Sequence, residues 1–311
     1  MNLPHFILNP TASAGQTGRS QAQLLRIVEE FFPNGFTLDV TTRAGQATEM
    51  TAKALAEGSN LIVAVGGDGT MNEVINGFFA GANPRGQKSR LGVLGIGTAG
   101  DVSRNLNLPA SLRDQVSILA GKHSRAIDLG KVTFGSGAGK PVVRYFLNEC
   151  QPGIAAAVVR RVTPGLKRLG GFLAFGLMST YTAMTYRARR MVVRVDRQKP
   201  VEGRMLGVVV ANGRYAGGGM DFAPASRIDD GSLDIIVIWD QHVPSRLFNF
   251  PKIYSGGHVN LPWVTVLKGK SVRVESAERV ALEADGELLG FLPCDVRVVP
   301  SALRVCSGPK G

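Results

Sequence analysis

Cysteine is scarce: Cys150, Cys294 and Cys306 are the only three, widely spaced and with no CxxC pair. That excludes a disulfide framework and a zinc ribbon, and it suits a reducing cytoplasm. Long apolar runs are missing too. The least polar stretch, Gly170 to Met184, carries Ser, Thr and Gly. It falls short of the roughly 18 to 20 apolar residues of a membrane-spanning helix. Met1 to Pro10 has no basic n-region and breaks at Asn9-Pro10, which argues against a signal peptide and for a first strand entering a turn. Several catalytic signatures are also lacking. Gly139-Lys140 is followed by Pro141, so no GxxxxGKS/T loop exists; the histidines His5, His123, His242 and His258 are scattered, without HExxH; and no GxSxG elbow occurs.

Acidic residues are outnumbered 24 to 36 by Lys and Arg, a net charge of +12 over 311 residues. Such an excess favours polyanions: nucleotide phosphates, nucleic acid or an anionic membrane surface. Part of it lies in Arg160-Arg161, Lys167-Arg168 and Arg187 to Arg190, on both sides of the apolar stretch. Two readings stand for that pattern, a segment that meets phospholipid headgroups and a core helix with solvated basic ends. A nucleic-acid-binding module would also use the charge. It calls for aromatics interleaved with Lys and Arg, whereas aromatics total 7% and the basic clusters adjoin an apolar segment.

With 44% apolar and 19% charged residues, the chain is globular and long enough for two domains. The first ~130 residues alternate strand and helix patterns. Strands are expected at His5 to Leu8, Phe36 to Val40, Leu61 to Val65 and Leu91 to Leu94, and helices at Gln21 to Phe32, Ala47 to Glu57 and Met71 to Phe79. This predicts an α/β domain with a parallel sheet, whose ligands bind at the carboxyl ends of strands. Beyond Asp128, short β-branched runs dominate: Val142 to Leu147, Met191 to Val195, Leu206 to Val210, Leu233 to Ile238, Val272 to Val274, Val280 to Ala284 and Val296 to Val299. Their spacing predicts a mostly antiparallel β-sandwich. The expected domains are 1–128, with a tail at about 296–311 packing back on it, and a β-rich 129–311 with a helical insert at about 165–190.

The strongest motif is Gly66-Gly67-Asp68-Gly69-Thr70, between an apolar strand and a helix. Glycines let the backbone approach an oxygen-rich ligand and aim successive amides at one anion, and the helix N-terminus adds partial positive charge. The pattern reads as a phosphate cradle, with Asp68 facing a bridging magnesium ion or a ribose hydroxyl. The plainer alternative is a tight turn with Asp68 capping its helix. A second loop, Gly95-Ile96-Gly97-Thr98-Ala99-Gly100-Asp101, also follows a strand. Its GxGxxG spacing is weak support for a dinucleotide fingerprint, and a second wall of the same site, with Asp101 as another magnesium contact, reads better than that or an ordinary turn. Asp285-Gly286 reads as a type I′ hairpin turn that would present a carboxylate.

These motifs, with Ile127-Asp128-Leu129-Gly130, the segment Asp229 to Asp234 and Asp285-Gly286-Glu287, occur in one order over nearly the whole chain. In that order they resemble the diacylglycerol kinase catalytic family, which includes bacterial soluble diacylglycerol kinases, sphingosine kinases and ceramide kinases. The resemblance implies an ATP- and Mg2+-dependent lipid kinase of the NAD-kinase/diacylglycerol-kinase-like fold. Its nucleotide would contact Asn9, Thr41, Gly66, Gly67, Asp68, Gly69, Thr70, Asn72, Gly97 and Thr98. Asp285 would be the general base, in the same DGE motif as Glu287, and Asp68, Asp101 and Asp128 would hold the catalytic magnesium and its waters. A structural metal would use Asp230 with the carbonyls of Arg227 and Ser232. The chain departs from the family at Gly100, where an Asn is usual.

Phosphoryl transfer needs such parts: a metal, fixed donors and a carboxylate for the proton of the attacking hydroxyl. The expected partners are therefore ATP and a lipid at an anionic membrane surface, with no nucleic acid. A homodimer through an exposed sheet edge is allowed. The expected location is cytoplasmic, peripheral to the inner face of the membrane. An NAD kinase would explain GGDGT but not the basic, apolar segment around Gly165 to Arg190.

Overall fold

A computed structural model describes residues 3–80, 89–96, 100–135, 140–162 and 171–308, with the backbone alone at 13–14 and 171–175. The chain forms two compact units, Met1–Ile127 with Ser301–Gly311, and Asp128–Pro300.

In the first unit, four parallel strands lie in the spatial order Thr37–Val40, His5–Leu8, Leu61–Gly66 and Arg90–Gly95. Arg304 and Val305 add a fifth parallel position beside Arg90 and Leu91. Leu61–Gly66 is buried at every residue, as a central parallel strand covered on both faces must be. The helices Gln21–Phe31, Gln46–Ala56, Asp68–Phe78 and Leu112–Ala120 bury their apolar sides, and Phe6, Leu8, Leu24, Val28, Val63 and Leu119 share one core cluster. The first strand lies between the second and the third, so the chain departs to opposite sides of it. At such a switch point the loops after adjacent strands diverge and leave a crevice at their carboxyl ends.

The second unit is built from antiparallel pairs. Val201–Ala211 is its most connected strand, flanked by Arg189–Val195, Glu149–Pro152 and Leu233–Trp239. Ala281–Ala284 lies between Glu149–Pro152 and Glu287–Phe291. Phe146, Met205, Val208, Val210, Ile235 and Leu282 lie in its core. The α/β class with an antiparallel second part is thus as expected.

Local boundaries moved for physical reasons. The helix expected from Met71 begins at Asp68, so Asp68, Gly69 and Thr70 form its first turn rather than a loop. Glycine is a poor helix former, but tertiary bonds to this turn outweigh its propensity. The helical insert appears as Gly171–Thr185, and 163–170, including Lys167 and Arg168, lies outside the described residues. Helices at Ile154–Arg161 and Val243–Asn249 and a strand at Val264–Gly269 were not foreseen.

Gly130 pairs across from Phe146, and a Cβ there would overlap the Phe146 ring. Gly130→Ala should therefore destabilise the second unit by roughly 1–3 kcal/mol through overpacking. Urea denaturation checks this, and an unchanged midpoint would contradict it.

Candidate active site

In the first unit the two glycine loops are joined by one side chain. Asp68 Oδ2 accepts the Asp101 N–H at 3.0 Å and Oδ1 accepts the Val102 N–H at 3.1 Å. Asp68 therefore caps a helix, as the plainer reading held, but the short helix Asp101–Asn105 of the other loop rather than its own. Gly100 precedes that helix, and a Cβ there would lie 3.3 Å from Asp68 Oδ1. The missing Asn side chain thus leaves a glycine pressed close to the capping carboxylate. Asp101 is buried and takes the Arg104 guanidinium at 3.2 Å.

Asn9 lies against the GGDGT turn, its Nδ2 donating to Thr70 Oγ1 at 3.0 Å. Asn9 Oδ1 accepts the Thr11 N–H and hydroxyl, so the first turn of the chain is locked to its own Asn. Gly66 ends the strand with no room for a side chain, since a Cβ would lie 2.7 Å from Thr70 Oγ1. Thr41 is buried and its N–H reaches the Leu8 carbonyl at 2.9 Å, which sets it at the carboxyl end of the first strand. Asn72 is buried on the helix after GGDGT, with Asn76 Nδ2 donating to its carbonyl and Oδ1. Gly67 and Gly69 complete this loop, whereas Gly97 and Thr98 lie outside the described residues. Glu73 was not foreseen. It accepts the N–H groups of Gly45 and Ala47 at 2.9 and 3.1 Å, fixing the segment after Thr41 to the GGDGT helix.

In the second unit, Asp285 and Gly286 form the two-residue turn between Ala281–Ala284 and Glu287–Phe291, with φ of 46° and 80°. Positive φ at both central residues is what a type I′ turn requires. The Asp285 carboxylate is buried. Oδ2 accepts the Leu147 N–H at 2.9 Å, and Oδ1 accepts those of Asn148 and Glu149 at 2.9 and 3.2 Å. Glu287 is half-buried beside the turn, paired with Ala284. Two further carboxyls lie under it. Glu149 and Glu283 are buried close to one another; burial above all, then the charges of Glu283 and Asp285, hold Glu149 well above the carboxylate range, and burial pushes Glu283 up to about 8 against the lowering effect of Glu149 and of the Gly286 N–H.

Asp128 Oδ2 accepts the Gly231 N–H at 2.6 Å, while its N–H and carbonyl engage the Ile228 carbonyl and the Asn212 amide. The IDLG motif thus meets the loop of the DDGSLD motif.

The Asp230 carboxylate, expected to hold a structural metal with the carbonyls of Arg227 and Ser232, already has partners in this structure. Asp230 Oδ1 takes the Ser232 N–H and hydroxyl, and Lys268 Nζ lies 2.8 Å from Oδ2 and 3.8 Å from Asp234. The Arg227 guanidinium pairs with Asp229 at 3.2 Å. Burial would raise Asp230, but the Lys268 ammonium and Ser232 bring it below its usual value, and the same bond raises Lys268. An ammonium supplies the charge that a cation would, and repels a second cation at that oxygen. Among the described residues no group of three His, Cys, Asp or Glu side chains is arranged to hold a metal. Asp68 and Asp101 nonetheless offer hard oxygen donors on adjoining turns, the ligand type that magnesium takes beside phosphates.

Comparison with known families decides the assignment. Residues 4–132 match the diacylglycerol kinase catalytic domain, and residues 150–307 match the YegS C-terminal NAD kinase beta sandwich-like domain. The chain belongs to the diacylglycerol kinase family. It is a kinase. Curated relatives named diacylglycerol kinase include one from Staphylococcus carnosus, 29% identical over 93% of this chain and 90% of that protein. One from Bacillus subtilis is 28% identical over 94% and 92%. A solved structure from Bacillus anthracis str. Sterne described as a diacylglycerol kinase shares the fold with a TM-score of 0.71 at 21% identity, covering 99% of this kinase and 97% of that chain. A second solved chain from that organism gives 0.79 at 24%, covering 99% and 96%.

Because Lys268 already neutralises Asp230, chelation with EDTA should leave the melting temperature of this kinase unchanged. Lys268→Ala should lower stability by up to about 1 kcal/mol, the scale of a half-exposed pair. A fall in Tm on chelation, reversed by added magnesium, would show a structural ion after all.

Proposed function

We propose that this kinase transfers the γ-phosphoryl group of ATP to a hydroxyl of a lipid, with diacylglycerol the first candidate and phosphatidic acid its product. The observation that carries the reading is the Asp68 bond to the second glycine loop, which gathers the nucleotide-binding motifs of the matched catalytic domain onto one end of a parallel sheet. Backbone amides and the N-terminus of Asp68–Phe78 bind the phosphates there, and Asn9, Thr41 and Asn72 line the same loops. The proposed nucleotide contacts include Gly66, Gly67, Gly69, Thr70, Gly97 and Thr98. Magnesium held by Asp68, Asp101 and Asp128 would neutralise charge on the transferred group. Asp285 takes the proton of the attacking hydroxyl as the new oxygen–phosphorus bond forms, and its three amide donors fix the direction of that carboxylate. Glu287 stands beside it at the start of the next strand.

Lipid access has its own support. No helix among the described residues is long and apolar enough to cross a membrane. Over 176–185 the helix Gly171–Thr185 turns several large apolar side chains outward. Leu177, Tyr181 and Met184, at helical spacing, are exposed, whereas Ser179, Thr182 and Ala183 are buried. Val243–Asn249 packs alongside, tied by Arg246 to the carbonyls of Ala183 and Tyr186, and presents Phe248 at 81% exposure. Exposed Arg187 and Arg190 follow the helix. An apolar stripe edged with cations suits the headgroup boundary of an anionic bilayer at the inner face of the membrane.

Incubation with labelled ATP and a panel of lipid extracts should label a phospholipid. Label on NAD rather than lipid would replace this reading with the NAD kinase one. Asp285→Asn should lower kcat about 10²- to 10⁴-fold. Asp285→Ala is the poorer probe, because it strands three buried N–H groups at roughly 1–3 kcal/mol each. Calorimetry should show ATP binding retained in Asp285→Asn, and near-normal turnover in that protein would remove Asp285 as the base. Vesicle sedimentation should show binding to phosphatidylglycerol vesicles that weakens several-fold in R187E/R190E. Binding unaffected by those reversals would count against the surface.

A further inference from the structure

Glu149 and Glu283 are poor choices for a stable core. Both are buried, they lie on the adjacent strands Glu149–Pro152 and Ala281–Ala284, and the Asp285 carboxylate adds a third acid beside them. Among the described residues no N–H or hydroxyl reaches Glu149 Oε2. A buried, unpartnered oxygen is tolerable on a neutral carboxyl and very costly on a charged one. Two carboxyls can hydrogen-bond only while they share a proton, and burial raises both of these above the usual range.

The same two residues hold the turn that carries Asp285, Glu149 through its backbone and Glu283 through its carboxylate. The Glu149 N–H donates to Asp285 Oδ1 at 3.2 Å, and its carbonyl accepts the Asp285 N–H at 3.1 Å. Glu283 Oε2 accepts the Gly286 N–H at 3.0 Å. Glu283 stands opposite Gln151 and Ala284 opposite Cys150, so the clamp is built into the strand register. The Gln151 amide acts on Glu149 from the same face of its strand, while the Cys150 thiol, raised by burial, lies in the apolar core with Leu282, Ala284 and Cys294.

We propose that Glu149 and Glu283 are positioning residues, a proton-sharing pair that holds the Asp285 turn in its working place and releases it when the shared proton is lost. The inference rests on Asp285 being the base. It adds that the base is kept in place by a neighbouring acid pair that must remain at least singly protonated. Once both are ionised, three carboxylates repel one another at short range, beside a turn that is exposed at Gly286.

The sign of the pH effect follows from linkage. Both pKa values are raised by folding, so above the ordinary carboxylate value near 4.5 the unfolded chain gives up protons that the folded chain keeps. The pair's contribution to stability therefore falls as pH rises from about 4.5 towards 8, the value reached by Glu283. A glutamine at either position carries no such penalty.

The test combines melting with kinetics on the full chain. Between pH 5 and 9, wild-type Tm should fall more steeply with pH than that of Glu149→Gln or Glu283→Gln. The variants should gain over the wild type as pH rises. In turnover, Glu149→Ala should lose at least tenfold in kcat with KM for ATP little changed, and Glu149→Gln should recover most of that loss. Glu149→Gln should also flatten the alkaline fall in kcat. Tm and kcat profiles of both Gln variants superimposable on the wild type would overturn the proposal, as would full activity in Glu149→Ala. If Asp285→Asn keeps its turnover while the Gln variants flatten only the Tm profile, the base assignment fails and the pair is reduced to a structural acid pair.

Discussion

A carboxylate that can only accept hydrogen bonds is the fixed point of the first unit. Asp68 sits in the opening turn of one helix and receives two amides from the opening turn of another, so the two glycine-rich segments cannot move independently. Neutral side chains would not serve equally well, because charge-assisted bonds are about twice as strong as neutral ones. The arrangement also explains why the loop can be so rich in glycine. Glycine costs conformational entropy wherever it is ordered, and a loop built from it needs an external anchor to hold one shape. The second unit repeats the device at Asp285, where three amides converge on one carboxylate.

Much of the first unit could be read from periodicity, because its strands are continuous apolar runs and its glycine motifs fall where strands end. The strand His5–Leu8 and the buried run Leu61–Gly66 are local properties of a few residues. What could not be read is whatever joins distant residues. Asp285 meets Leu147, Asn148 and Glu149 across more than 130 positions, and no spacing rule spans such a distance. The Glu149 and Glu283 pair is hidden for the same reason, since each alone resembles a surface residue of a strand. Lys268 was equally silent: an isolated lysine in a β-branched segment looks solvated, and only the pairing of Leu233–Trp239 with Val264–Gly269 brings it to Asp230.

The apolar segment shows a third kind of limit. Composition alone left a core helix and a membrane-facing helix equally open, because both are rich in Leu, Met and Tyr. Which side chains point outward bears on the choice between them. Over 176–185, Leu177, Tyr181 and Met184 lie outside together with Thr180 and Thr185, while Ser179 and Thr182 lie inside, unlike a helix whose apolar side is all buried. Among the described residues, Thr182 Oγ1 is buried without a hydrogen-bond partner. Small side chains there allow close packing against Ile154–Arg161, with which the helix is in contact.

The parallel sheet of the first unit is finished by residues far along the chain. Among the described residues, Arg90–Gly95 gains its outer neighbour from Arg304 and Val305, roughly two hundred residues downstream. On the ribosome that strand therefore emerges with one row of amides and carbonyls open, and it stays so until nearly all of the second unit has been made. An open parallel edge is a template for pairing with other nascent chains. Translation speed and chaperone supply thus bear on how much of this kinase reaches its native form.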